Sequence, residues 1–195
     1  MGYNAYRLGN DGSSNVGIGV NSLEDNTGND NTAVGANTLQ QNTSGVENVA
    51  VGINSLLVST TAGYNTAVGA GTLKDCTTGS INVAVGREAL ENLTTGAKNV
   101  GIGRSALQAT TTPDENTAVG DACMASNTTG GNNVAMGAEA LKSNTTASLI
   151  TALGRQALFS NTTGAKGTAV GYQAGYSNTT GASNTSMGYQ ALYQN

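Results

Sequence analysis

The sequence contains no histidine or tryptophan and only one phenylalanine and one proline, and aromatic residues make up 4% of the chain. Because histidine is absent, a histidine-based catalytic triad or metal site is excluded. The low aromatic content argues against a conventional thick hydrophobic core. Two cysteines are too few for a disulfide framework.

Charge is also scarce. Charged residues make up 10% of the chain and the formal net charge is -4, so the basic footprint typical of nucleic-acid binding is missing. No apolar run reaches the roughly 18 residues of a membrane span, and Met1 to Asn4 lacks the basic and apolar regions of a secretory signal. We therefore expect no nucleic-acid partner, no membrane contact by this segment and no cofactor. Any export signal is expected to lie outside it.

The chain does contain an internal repeat, which one glycine marks in each unit. Successive marker glycines are 17 residues apart, except for an interval of 16 between Gly19 and Gly35. We number each unit so that this glycine is position 5. The marker glycines are Gly2, Gly19, Gly35, Gly52, Gly69, Gly86, Gly103, Gly120, Gly137, Gly154, Gly171 and Gly188.

Positions 2 to 4 have the pattern of a short strand. Position 2 is always Val or Thr, position 3 is always Gly, Ala or Ser, and position 4 is always Val, Ile, Leu or Met. Position 8 is small and position 9 is Leu in nine of eleven units, which predicts a second short strand. Positions 12 to 15, as in Asn161 to Gly164, have the residues of a turn.

The charged residues follow the same period. Nineteen of the twenty fall at positions 6, 7, 10, 11, 16 and 17, and the exception is Asp11. Because an unpaired buried charge is costly, these columns are predicted to face solvent. Positions 1 to 5, 8 and 9 carry no charge and are candidates for the interior.

A unit of 17 residues is too short for helix-pair, leucine-rich or propeller repeats, and it fits one coil of a parallel β-solenoid. The predicted fold is therefore all-β, with residues 1–195 forming a single repetitive segment of about eleven coils. Coils stacked at the strand spacing of roughly 4.8 Å give a rod roughly 50 Å long. Asn at position 1 in nine of eleven units predicts an amide ladder, which Ile150 and Gly167 interrupt.

The apolar content of each coil is marginal against an ordering entropy of roughly 1 to 2 kcal/mol per residue. We therefore expect parallel copies of the chain to assemble around an axis, with three as the expected number. Position 4 is expected to point into the chain's own core, and the small residues of position 3 to pack against partner chains. The predicted interface residues are Ala33, Ala50, Ala67, Ala84, Ala118, Ala135, Ala152 and Ala169.

The phrase Asn-Thr-Ala-Val-Gly, with a small residue three positions after the glycine, resembles the head repeat of YadA-like trimeric autotransporter adhesins over the whole chain. The longer wording of residues 172–181, Tyr-Gln-Ala followed by Ser-Asn-Thr-Thr-Gly, is similar to shaft repeats of phage and bacterial tail-fibre proteins. The adhesin resemblance implies a left-handed parallel β-roll that is trimeric. Because the adhesin unit is typically shorter, the additional residues are expected to enlarge the turn at positions 12 to 17.

Two exposed columns suggest an alternative function as a binding module. Thr at positions 13 and 14 forms a regular hydroxyl array that could bind ice if it were flat. Tyr172 and Tyr189 at position 6, with Tyr176 and Tyr193 at position 10, form an aromatic strip that could hold a glycan or fill a groove. The carboxylates lie among the outward columns, so we do not expect an enzyme.

The sequence therefore predicts a structural and interaction protein, a shaft or head segment of an extracellular homotrimeric fibre on a virion tail or a bacterial surface. Other parts of that fibre are expected to contact the receptor. Met1 to Ala5 resembles Met187 to Ala191, and both ends are expected to be cuts in a longer chain. Cys76 and Cys123 are three coils apart and are expected not to pair, with Cys123 the less accessible thiol.

Overall fold

The structure, a computed structural model, describes residues 3–5 and 12–194. Met1, Gly2 and Asp11 therefore lie outside the described residues. The described part of the chain contains eleven strands of three residues each and no helix, which confirms the predicted all-β solenoid. The strands, β1 to β11, are Val16–Ile18, Thr32–Val34, Val49–Val51, Thr66–Val68, Val83–Val85, Val100–Ile102, Thr117–Val119, Val134–Met136, Thr151–Leu153, Thr168–Val170 and Thr185–Met187.

The strands form a single parallel sheet in which each strand pairs with its neighbours in sequence. Equal repeat positions are partners, as in Ala67 beside Ala84. The short interval keeps this register, because Gly17 pairs with Ala33. Its missing residue is absorbed in the turn, where Asn15 donates to the carbonyl of Gly28 as Asn31 donates to that of Gly45. One coil thus follows another by translation of the whole repeat.

The marker glycine ends each strand because no side chain fits there. Gly86 has a φ of 124°, a conformation that L side chains rarely adopt, and the next coil stacks directly against it. The interior marker glycines share both properties, which explains why position 5 is glycine in every unit.

The predicted second strand is wrong. Residues 88 to 92 are turns: the N–H of Ala89 bonds to the carbonyl of Gly86 at 3.3 Å, and that of Leu93 to Leu90 at 3.2 Å. Glu88 and Leu90, at positions 7 and 9, have φ values of 59° and 52°. Left-handed backbone costs a non-glycine residue roughly 1–2 kcal/mol. Burying a leucine side chain contributes roughly 1.5–3 kcal/mol, which offsets that cost.

The core is built from positions 1, 3, 8, 9, 12 and 15, and the predicted orientation of the strand is reversed. Position 3 points into the chain's own core, whereas positions 2 and 4 point outwards. The side chains predicted to face partner chains are fully buried within one chain: Ala33, Ala50, Ala67, Ala84, Ala118, Ala135, Ala152 and Ala169.

The reason for this reversal is the width of the coil. The leucine of position 9 is fully buried and lies across from position 3, so that a Cβ on Gly101 would lie 3.2 Å from Cγ of Leu90. Only a small residue fits opposite such a leucine. Side chains at i and i+2 of a strand share a face, so position 4 follows position 2 to the outside.

Polar ladders complete the interior. The predicted ladder at position 1 is confirmed: Nδ2 of Asn82 donates to Oδ1 of Asn65 at 3.1 Å and to the carbonyl of Gly96 at 3.0 Å. Position 12 forms a second buried ladder that was not predicted, in which Asn144 donates to Asn127 at 2.8 Å. These bonds satisfy amides and carbonyls that the narrow core removes from water. The described charged residues are all at least partly exposed, as predicted.

Candidate functional surfaces

The outer side of the sheet is an exposed, mainly apolar surface. We call it the strand face and define it as the side chains of positions 2 and 4 in β1 to β11. It carries no charged residue, and large side chains such as Ile18, Val85 and Met136 are 54%, 36% and 48% exposed. Eleven strands at about 4.8 Å, two outward residues wide, give an area of roughly 500 Å². Apolar patches of this size on single chains often mark interaction sites.

One ion pair lies on each border of the strand face. At position 17, Lys98 bonds to Glu115 at 3.1 Å. At position 6, Arg104 makes two bonds to Asp121, at 2.8 and 2.9 Å, and this carboxylate raises the pKa of the guanidinium. Such exposed pairs contribute little stability, about 0–1 kcal/mol. Elsewhere the same borders carry exposed apolar side chains such as Ile53, Ile81 and Leu149.

The predicted aromatic residues form two stacks along the rod. Tyr176 is sandwiched between Phe159 and Tyr193, with centroid distances of 5.0 Å to each ring, and Tyr172 stacks on Tyr189 at 5.4 Å. The rings are within 15° of parallel. Stacking covers both faces of the Tyr176 ring, whereas Tyr189 stacks on one side only and is 74% exposed.

Cationic side chains and amides lie next to these rings. Lys142 lies 5.5 Å from the centre of the Phe159 ring, and Arg155 lies 5.9 Å from that of Tyr172. Between the two stacks, the amide of Gln173 donates to Gln156 at 2.8 Å. The strip is therefore a set of mutually satisfied side chains that covers the turn surface.

The hydrogen-bonded amides of Gln173 and Gln156 lead to the carboxylate of Glu139. Glu139 accepts from Gln156 at 2.8 Å and from Lys142 at 2.7 Å, and these bonds hold the pKa of its carboxyl below the usual range. A lowered pKa here reflects a structural cluster on a solvent-exposed turn.

The threonine columns are only partly free. The hydroxyl of Thr94, at position 13, donates to the carbonyl of Thr111 in the next coil at 3.1 Å, and the same bond recurs along the rod. Position 14 is exposed from Thr61 to Thr180. Neither column lies in a strand, and both belong to the turn that closes each coil.

The described residues contain no cluster of three or more metal-ligating side chains, and no helix there is long and apolar enough to cross a membrane. Cys76 and Cys123 do not form a disulfide, which confirms the prediction, and both are fully buried. The predicted difference in access is not found, because position 12 is a core column. Burial raises the pKa of both thiols to about 12.

Two features were missed in the sequence. The ladder at position 12 had a signal, since this column carries no charge and repeats Asn from Asn127 to Asn178. The strand sequence itself gave no signal for the outward orientation of position 4, because alternation alone does not say which side of a strand faces the core. No protein-family model, curated protein or solved structure matches the chain.

Proposed function

We propose that this chain is a shaft or head segment of a homotrimeric fibre, with the strand face as the contact between copies. The observation that carries the proposal is the strand face, which is free of charge along eleven coils and carries an aliphatic side chain or Met at position 4 of every strand. The interface therefore moves from the alanines of position 3 to the valines, isoleucines and threonines of positions 2 and 4.

A second copy of the chain is a suitable partner for the strand face, because the strand faces of both copies repeat at the same coil spacing. Ridges formed by successive valines on one rod can then remain in step with those of a partner along the whole length. The number three follows from the resemblance to adhesin heads and tail-fibre shafts. On this proposal the segment is an extracellular spacer on a virion or bacterial surface, and the receptor is contacted elsewhere in the fibre.

The alternative role as a binding module receives less support. Stacking covers both faces of the Tyr176 ring, and the hydroxyls of position 13 are engaged between coils. Passive spacing needs no catalytic group, and we propose no enzymatic activity.

Arginine substitutions in the strand face test the proposal. Val85→Arg with Val119→Arg adds charge to an exposed column, so the coil should fold while the assembly dissociates. Asn92→Arg, on an exposed turn, is the control and should leave the assembled mass unchanged. An unchanged mass for the double variant would contradict this interface.

A further inference from the structure

Position 7 carries a ladder of amides in the first coils. Nδ2 of Asn21 donates to Oδ1 of Asn37 at 3.0 Å, and Nδ2 of Asn37 donates to Oδ1 of Asn54 at 3.0 Å. Each amide thus uses its oxygen towards the preceding coil and its nitrogen towards the following one.

The ladder stops at Gly71, which has no side chain to accept the next bond. Among the described residues, Nδ2 of Asn54 has no acceptor. On the far side of the gap is the carboxylate of Glu88. Its Oε1 accepts from Arg87 at 2.6 Å, and its Oε2 accepts from Gln108 at 3.4 Å and from Ser105 at 3.5 Å. An unused amide donor and a carboxylate therefore line the same cavity, two coils apart in the position-7 column with Gly71 between them.

The gap is a cavity of about 230 Å³ whose walls include Ile53, Lys74 and Glu91. This is smaller than the sites of drug-sized ligands, at roughly 300–1,000 Å³, and suits a small functional group with its immediate substituents. The cations beside it are already compensated, because Lys74 lies 3.8 Å from Glu91 and Arg87 pairs with Glu88. A free anion would gain little there.

We propose that this cavity, the Gly71 notch, binds a carboxamide group from a small molecule. Its carbonyl would accept from Asn54 and its N–H would donate to Glu88, which replaces the missing side chain of the ladder. Two coils span roughly 9.6 Å, enough for one planar amide with a hydrogen bond at each end. An acetamido sugar and a free amino-acid amide share this chemistry.

Titration of the intact chain with N-acetyl-D-glucosamine and, separately, with L-glutamine tests the notch, with amide chemical shifts of residues 53–91 as the readout. We expect saturable shifts with a dissociation constant on the order of millimolar. Binding by one probe or by both supports the notch and identifies the source of the amide. D-glucose lacks the acetamido group and should bind at least tenfold more weakly.

Gly71→Asn supplies the missing amide within the chain. Gly71 has a φ of 66°, which Asn tolerates, and an added Cβ would lie 3.8 Å from its nearest neighbour, Cγ of Glu88. This variant should remain folded and lose the shifts. The control is Ala122→Asn, which adds the same side chain at position 7 of another coil with a φ of 51° and should bind normally.

Three results would overturn the proposal: no saturable shift with either probe, equal binding of D-glucose, or unchanged binding by Gly71→Asn. None of them depends on the oligomeric state, so the notch and the proposed fibre contact can fail independently.

Discussion

A Cβ built on Gly86 would lie 2.7 Å from both the carbonyl carbon and the carbonyl oxygen of Gly103, the equivalent residue of the next coil. The marker glycine is therefore required twice, by its own φ and by the backbone stacked on it. In the 195-residue chain, Gly188 separates these two requirements, because its φ is 122° but its added Cβ would have only the Cβ of Ala191 within reach, at 4.0 Å.

Gly86→Ala should consequently destabilise the rod well beyond the roughly 1–3 kcal/mol expected for backbone strain alone. Gly188→Ala should cost only the free energy of backbone strain, because the added Cβ meets no stacked backbone. Urea unfolding gives the free energies, and hydrogen exchange within each altered coil allows a terminal coil to be compared with an interior one. Equal effects in the two coils would mean that stacking does not select the glycine.

Asn82→Ala should cost about 2–5 kcal/mol of unfolding free energy. The change removes the partner of the Gly96 carbonyl, 3.0 Å away, and of the Asn99 N–H, 2.9 Å away, and leaves both unpaired in the core. Asn92→Ala, on the exposed turn, should stay within about 0.5 kcal/mol of the parent chain. The buried ladder would be unimportant if thermal or urea unfolding gave the two variants equal stability.

The native chain should react with Ellman's reagent at pH 8 only as it unfolds. The thiols of Cys76 and Cys123 are fully buried and have a pKa of about 12, so the reactive thiolate is scarce at that pH. Both should label together on unfolding, and a third thiol introduced by Ser126→Cys on an exposed turn should label at once. Rapid labelling of either native cysteine in the folded parent chain would contradict the placement of positions 8 and 12 in the core.

Deleting residues 65–98 removes two whole units and should leave a folded rod. Tyr64 then joins Asn99, β3 pairs with β6 at equal repeat positions, and the length falls by roughly 10 Å. Deleting residues 65–72 instead shifts the buried columns out of register and should prevent folding. Circular dichroism and small-angle scattering compare the two. Similar folding of both would show that coil register is not essential.

The solenoid itself could be predicted because a strict period fixes which residues stack, and the asparagine ladder of position 1 follows from that stacking. The orientation of the strand could not, because size suggested that Val85 rather than Ala84 fills the core. That choice follows from the buried leucines of position 9: a Cβ on Gly101 would already lie 3.2 Å from Cγ of Leu90, so only a small residue fits at position 3.

The turn at positions 6 to 12 also could not be predicted from the local sequence pattern. Leu90 adopts a left-handed backbone that leucine disfavours by itself, and tertiary burial overrides that preference. The Gly71 notch is visible in the sequence only as a glycine in the position-7 column. The sequence does not show that the amide of Asn54 and the carboxylate of Glu88 line the same cavity, because this depends on the positions of their side chains.

The mass of the intact chain in solution tests the central claim most directly. If the strand face joins three copies, light scattering should give three times the 19.4 kDa chain mass for a sample with β-rich circular dichroism. A folded species at 19.4 kDa over the micromolar range would contradict the proposed fibre contact.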